Sequence, residues 1–533
     1  MTVINMKKSF LFRLALLTGL LCLFIQVAAA QALPSDLDDY AARVLKEFEV
    51  PGMALAVVKD GRIVVSKGYG IRKMGETTPV DENTLFGIAS NTKAFTAAAL
   101  AILVDEGKLS WDDRVIRHLQ WFQMYDPYVT REMTIRDLLT HRAGLSLGAG
   151  DLLFWPSTTF NRREIIERIR YIRPSISFRS RYAYDNILYL VAGEVVHAVS
   201  GKRWDDFIRE RIFTPLGMTH SNTSPLEFKP GDNVATPHTR TDGKLKAIDY
   251  MVIDNNAPAG AINSCVSDMA KWMIAQLDGG VIAGGAGKRL FSARQGFEMW
   301  SAQTITPINP NPPPQLAALK PNFSAYGLGW GLADYRGKKI VSHTGGLWGL
   351  VSRVTLVPEL KLGIVVLTNQ EAGGAFQSMT YRILDSYLGA PPNDWVKAFR
   401  EVAEMTEKNA AEFAAKQAAA RNSNSKPSLP LQGYVGTYRD AWYGDVEIVM
   451  EAEKPVIRFS RTPLLVGDLE HWQYDTFIVR WRERGLNADA YITFSLKPDG
   501  SIDQVKMLPA SPLVDFSYDF QDLLFVPVKE TRR

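Results

Sequence analysis

Near the start of this chain two strand-like runs, Met53 to Val58 and Arg62 to Gly68, flank Lys59-Asp60-Gly61. Asp-Gly between β-forming runs is a strong hairpin signal. Comparable runs recur only much later, at Lys339 to Ser342, Ser352 to Val357 and Leu362 to Leu367, the last two joined by a turn at Pro358 to Lys361. Between the two groups the apolar residues fall at helical spacing, over Thr92 to Glu106, Thr134 to His141, Arg162 to Tyr171, Tyr184 to Val199 and Trp204 to Phe213. An isolated hairpin is barely stable, so the early strands must wait for the late ones and complete one antiparallel sheet with them. The expectation is an α+β domain of two subregions, sheet and helical, with a cleft between them.

With 533 residues, 46% of them hydrophobic and 22% charged, the chain is longer than one core supports, and at least two domains are expected. Lys7, Lys8 and Arg13, the apolar Leu14 to Phe24 and the small Ala28 to Ala30 have the layout of a signal peptide over residues 1–30, which points to a periplasmic or secreted product. No later segment looks transmembrane, so no stable span is expected after cleavage. Cys22 lies inside the apolar stretch without the small neighbour a lipid-accepting cysteine needs, and cleavage would leave Cys265 alone, with no intramolecular disulfide. Loss of Lys7, Lys8 and Arg13 leaves 58 basic against 57 acidic residues, which gives no argument for a nucleic-acid partner.

The first domain is expected over 31–393, and at its start Ser35 can cap a helix carrying Leu37, Tyr40, Ala41, Val44, Leu45 and Phe48. The Ala-, Glu- and Lys-rich 394–421 and the polar Asn422 to Pro430 form a helical and polar linker, 394–430. Beyond it, residues 431–533 contain β-forming runs at Val446 to Met450, Val456 to Phe459, Phe477 to Trp481, Ala490 to Phe494 and Leu523 to Val528, the pattern of a small all-β barrel or sandwich. Its aromatics, among them Trp442, Trp472, Phe477 and Trp481, are expected to be core.

Ser90-Asn91-Thr92-Lys93 opens an Ala-rich helical pattern, so the amine at i+3 can reach the hydroxyl at i. A serine hydroxyl is a weak nucleophile, and a desolvated, neutral amine beside it can take its proton. Serine followed three residues on by lysine is a common coincidence: about two matches are expected by chance in a chain of this size. The second one here, Ser423 to Lys426, sits in the linker without a helix or cleft. Ser90 is distinguished by its company, Tyr184-Asp185-Asn186 at the entrance to a helix and His343-Thr344-Gly345-Gly346 after a strand.

These three elements, in this order and at this spacing, resemble the serine β-lactamase and DD-peptidase superfamily, with the class C β-lactamase relatives nearest. The likeness spans roughly Leu37 to Gly389 and includes Leu138 to Leu145, Pro215-Leu216-Gly217-Met218, Tyr326 to Trp330, and Ala259-Gly260 ahead of Ser267-Asp268-Met269. Gln432 to Tyr438 resembles the start of a lipocalin-like barrel appended to such hydrolases. The resemblance implies that Ser90 attacks a carbonyl and Lys93 receives its proton. It also implies that Tyr184, as phenol or phenolate, passes a proton to the leaving group, and that Asn186 helps hold Lys93 and donates to the acyl-side carbonyl. The N–H groups of Ser90 and Gly346 would form an oxyanion hole, with Asn186, His343, Thr344, Gly345 and Gly346 binding substrate. Where β-lactamases carry Lys-Thr-Gly this chain has His343-Thr344-Gly345. A histidine that bonds Tyr184 and is charged only below about pH 6.5 anchors a carboxylate poorly, and the resemblance extends to DD-peptidases, D-amino-acid peptidases and esterases that share the His form, which favours a D-amino-acid peptidase or DD-carboxypeptidase-like enzyme or an esterase over an efficient β-lactamase.

The function expected is therefore an exported serine hydrolase acting on a peptide, amide or ester, with β-lactams as possible ligands; the alternative is a penicillin-binding sensor that acylates without turnover. Gly144-Leu145-Ser146-Leu147-Gly148 matches the hydrolase pattern G-x-S-x-G, but a helical pattern leads into it where a nucleophile elbow needs a strand. The seven histidines are scattered without ligand spacing, so no metal or cofactor is expected, and His141 and Cys265 are assigned to structure. Specificity is expected in the loops Gly148 to Phe160 and Ser301 to Phe323, and the β tail could shape the cleft.

Overall fold

The structure, a computed structural model, describes residues 33–528; the signal-like segment 1–30 lies outside the described residues. The early hairpin forms as its sequence dictates: β1 (Gly52–Lys59) and β2 (Arg62–Gly70) pair across Asp60 and Gly61, both at positive φ, 52° and 74°. Its missing partner is β8 (Leu362–Thr368), which pairs with β1 in antiparallel register from Met53 opposite Thr368 to Lys59 opposite Leu362. The sheet has eight strands in the order β2-β1-β8-β7-β6-β5-β4-β3, with β3 Thr304–Ile305, β4 Ser324–Tyr326, β5 Gly331–Tyr335, β6 Lys338–Leu347 and β7 Leu350–Val357. The short β3, β4 and β5 had no clear period in the sequence. They extend the sheet outward from β6, β5 pairing with β6, β4 with β5, and β3 with β4 at the edge.

Burial on both faces explains why β1 is apolar throughout. Met53, Leu55 and Val57 face a core shared with α1 (Leu37–Glu47), α5 (Gly373–Tyr387) and the start of α6 (Trp395–Ala420). Ala54, Ala56 and Val58 face the main core, which contains α2 (Thr92–Asp105), α3 (Ile187–Ser200) and α4 (Val266–Leu277). This is the two-residue period of a strand between two helical layers. α2 is buried all round, and its alanines at 94, 97, 98, 99 and 101 let neighbouring elements approach its backbone. The N-cap of α1 is Asp36 rather than Ser35, and no side chain caps it.

After α6, a 26-residue helix buried only at its start and at Ala410, eight antiparallel strands from Gly436 to Pro527 close into a barrel. Trp442, Phe477 and Trp481 are in its core as expected. Trp472 is not fully buried: its ring is covered by the guanidinium of Arg421 at the end of α6. Among the described residues no helix is long and apolar enough to cross a membrane.

Candidate active site

Ser90 lies in a single 3-10 turn, Ala89–Asn91, that runs directly into α2. Ala89 precedes it at φ 50°, a conformation that costs a residue with a Cβ and recurs where function demands a particular side-chain position. The turn is wedged against β6. A Cβ on Gly345 would stand 2.3 Å from the Ile88 carbonyl oxygen and 2.9 Å from the Ala89 Cβ, so only glycine permits this approach. Gly345 therefore backs the nucleophile turn and does not line the cleft, a correction to its grouping with the substrate-binding residues; Thr344 and Gly346, on the opposite face of the strand, do line it. Strand β6 also continues through His343 to Leu347 instead of stopping at Ser342, because Gly345 and Gly346 pair with Ser352 and Val351 of β7.

One turn into the helix, Lys93 is fully buried. Its Nζ lies 2.9 Å from Ser90 Oγ, 2.7 Å from Asn186 Oδ1 and 3.0 Å from the Ala259 carbonyl oxygen. Burial pulls its pKa down from 10.5 to about 7, opposed by the nearby carboxyls of Asp151 and Asp185. The Tyr326-to-Trp330 turn closes the other side: Gly329, at φ 77°, approaches so near that a Cβ there would sit 2.7 Å from the Lys93 carbonyl oxygen.

The Tyr184 hydroxyl donates to Ser90 Oγ at 2.8 Å, so phenol and amine converge on one oxygen. Burial raises the Tyr184 pKa well above its ordinary value and holds it as the phenol, deciding between the two forms left open by sequence. Asn186 holds Lys93 through Oδ1, and one of its two Nδ2 hydrogens goes to Asp151 Oδ2 at 2.8 Å, leaving the other for the cleft that it lines. The turn carrying Tyr184 is pinned by His141, whose Nδ1 accepts the Asp185 N–H at 3.2 Å and whose ring centroid is 4.3 Å from that of Tyr184.

His343 departs from the expected contact. Its Nδ1 donates to the Thr344 carbonyl at 2.6 Å, leaving Nε2 to accept from Tyr326 Oη at 2.8 Å, while its ring centroid is 6.3 Å from that of Tyr184. Burial and the neighbouring Lys93 push its pKa down to about 3, so it is neutral across the physiological range rather than charged below pH 6.5. The sequence motif could not reveal that Tyr326, on β4 and two strands away across the sheet, would take this place.

Ser90 opens into a cavity of about 820 Å³. The expected specificity loops contribute Phe154, Trp155, Thr306 and Pro307, and the barrel supplies a wall that includes Leu486, Leu513, Asp515 and Phe516. The Phe516 ring meets Tyr184 edge-on at 5.9 Å. Asp515 and Glu371 are the carboxyls of the lining, and none of the described residues there is a lysine or arginine. Ser146 lies at the barrel interface and donates to Asp522 Oδ2 at 2.6 Å. Among the described residues no group of three or more histidine, cysteine, aspartate or glutamate side chains is arranged to hold a metal.

A sheet-and-helix cleft of this form is shared with known hydrolases. The beta-lactamase family model matches residues 37–388, and a domain of unknown function (DUF3471) matches residues 420–527. The chain belongs to the beta-lactamase family of serine hydrolases. It is 30% identical to the unguisins hydrolase of Aspergillus campestris, over 89% of each chain. Its fold is similar to that of the octameric penicillin-binding protein homologue from Pyrococcus abyssi, with a TM-score of 0.57, 21% identity and coverage of 92% of this chain and 99% of that one. It is similar also to the D-amino acid amidase of Ochrobactrum anthropi SV3, with a TM-score of 0.54, 24% identity and coverage of 67% and 99%.

Proposed function

We propose that this protein is an exported serine hydrolase that forms an acyl-enzyme on Ser90 and releases it to water, acting on a peptide, amide or ester. The observation that carries the reading is the convergence on Ser90 Oγ of the Lys93 amine at 2.9 Å and the Tyr184 phenol at 2.8 Å, with the amine's pKa brought to about 7 by burial. As Oγ bonds to the substrate carbonyl carbon, its proton passes to Nζ of neutral Lys93, and the carbonyl oxygen takes negative charge between the N–H groups of Ser90 and Gly346. Collapse breaks the bond to the leaving group, which takes its proton from the Tyr184 phenol while Lys93 restores that proton to the tyrosine. Water then attacks the ester carbon, gives up a proton by the same route, and Ser90 leaves with its hydrogen restored.

The cavity favours substrates without an anionic carboxylate near the scissile bond. A neutral His343 supplies no charge to hold one, and the wall carries Asp515 and Glu371. That ranks D-amino-acid amidase or peptidase and esterase chemistry together, with DD-carboxypeptidase-like activity less suited than the motif alone suggested and β-lactam hydrolysis behind. The activities for which the relatives are named, hydrolysis of unguisins and D-amino acid amidase, lean the same way. Export rests on residues 1–30 and is tested by N-terminal sequencing of the periplasmic and culture fractions.

The activity is tested by turnover of D-alanyl-p-nitroanilide, p-nitrophenyl acetate and a chromogenic cephalosporin side by side. The amide or ester should turn over and the cephalosporin should be the poorest substrate. Efficient cephalosporin hydrolysis with neither of the others would overturn the ranking, and acylation without turnover of any would favour the sensor.

A further inference from the structure

The barrel does more than wall the cavity. We propose that Asp519, which lies on the barrel side of the interface, is a positioning residue for the catalytic base, acting through the loop that carries Asp151. The proposal rests on the reading of Lys93 as the base for Ser90.

Asp519 is fully buried. Its two carboxylate oxygens accept the backbone N–H groups on either side of Asp151: Oδ2 from Gly150 at 2.6 Å and Oδ1 from Leu152 at 3.1 Å. A carboxyl group that accepts an N–H on each of its two oxygens is a two-point clamp that fixes the peptide planes between them. The clamped segment needs an external hold, because Gly148 and Gly150 both adopt positive φ, 71° and 83°, and the segment has only one short 3-10 turn, Asp151–Leu153.

Held in this way, Asp151 accepts from Asn186 Nδ2 at 2.8 Å, Asn186 Oδ1 accepts from Lys93 Nζ at 2.7 Å, and Nζ reaches Ser90 Oγ at 2.9 Å. The result is a continuous path from the barrel to the nucleophile, in which the clamped backbone of Asp151 joins the Asp519 hydrogen bonds to those of Asn186, Lys93 and Ser90. Burial, and after it the neighbouring Asp151 and Asp522, raise the proton affinity of Asp519, while Asp151 itself acts on the charge of Lys93. A second contact between the same two parts, Ser146 to Asp522, touches neither Gly150 nor Leu152 and provides an internal comparison.

The test uses the full chain with p-nitrophenyl acetate as probe. In Asp519→Asn one oxygen remains as acceptor while the new NH2 opposes the other backbone N–H. A displacement of this kind, remote from the chemistry, is expected to lower kcat roughly 10- to 100-fold, with KM little changed and the acidic limb of the pH profile moved. Ser146→Ala should retain wild-type kcat and pH profile. A folded Asp519→Asn protein with unchanged kcat, a rise in KM alone, or an equal loss in Ser146→Ala would overturn the proposal, the last by reducing Asp519 to a docking contact. Should Asp519→Asn not fold, Asp519→Glu, which keeps the carboxyl group and displaces it by one methylene, is read by the same criteria. Lys93→Met run in parallel separates the two readings: retained activity there sinks the base assignment, whereas an inactive Lys93→Met beside an unaffected Asp519→Asn sinks only the positioning role.

Discussion

Lys93 owes its reactivity to where its chain is buried. Bringing its pKa from 10.5 to about 7 corresponds to roughly 5 kcal/mol of lost preference for the charged form, supplied by burial against the opposing pull of Asp151 and Asp185. The working form is the neutral amine, so kcat/KM should rise with pH through about 7 and fall off on the acidic side; the pH profile of ester hydrolysis measures this directly. His343, at about 3, should add no limb between pH 5 and 9, and a His343-dependent limb in that range would contradict its buried, neutral state. Lys93→Met should lower kcat by about 10²- to 10⁴-fold, the usual worth of a positioned proton acceptor. The positions of Ser90, Lys93, Tyr184 and Asn186 were legible because each belongs to a short motif whose internal spacing already places two groups together. The partner of His343 was not, since Tyr326 reaches it only through sheet pairing, and Asp151 belongs to no motif at all.

At the scale of elements, the nucleophile turn depends on the closeness of β6. Gly345→Ala would drive a methyl group into the Ile88 carbonyl and the Ala89 side chain, both of which carry the strained approach to Ser90. Overpacking of this kind should cost about 1–3 kcal/mol, measurable as a lowered denaturation midpoint, together with loss of acylation as Ala89 and Ser90 shift. Gly346→Ala, whose Cβ would meet nothing within 4 Å, should leave stability nearly unchanged. The apolar run of β1 and the Asp-Gly turn were readable in advance because β-forming composition and turn chemistry are local properties. The short strands β3, β4 and β5 were not, because three to five residues of weak pattern become strands only when a paired neighbour supplies the hydrogen bonds. For the same reason the division of Thr344, Gly345 and Gly346 between the two faces of β6 emerged only with the register.

On the scale of the whole molecule, the chain folds back on itself so that its last hundred residues help build the cleft whose nucleophile lies near its beginning. The β character of this tail was plain from its composition, but its place over Ser90 depends on α6 and on contacts between residues more than three hundred positions apart, such as Asp519 with Gly150 and Ser146 with Asp522. Phe516→Ala should widen the cavity beside Tyr184 and change the preference among acyl chains by about 1–3 kcal/mol in kcat/KM, read from a series of p-nitrophenyl esters of increasing length. All of this presupposes that Ser90 is the atom acylated. The most direct measurement is the intact mass of the mature protein after brief exposure to an activated ester and, separately, to a penicillin, comparing wild type with Ser90→Ala. An adduct on the wild type that is absent from Ser90→Ala is the predicted result; the same adduct on both would contradict the account and return attention to Ser146.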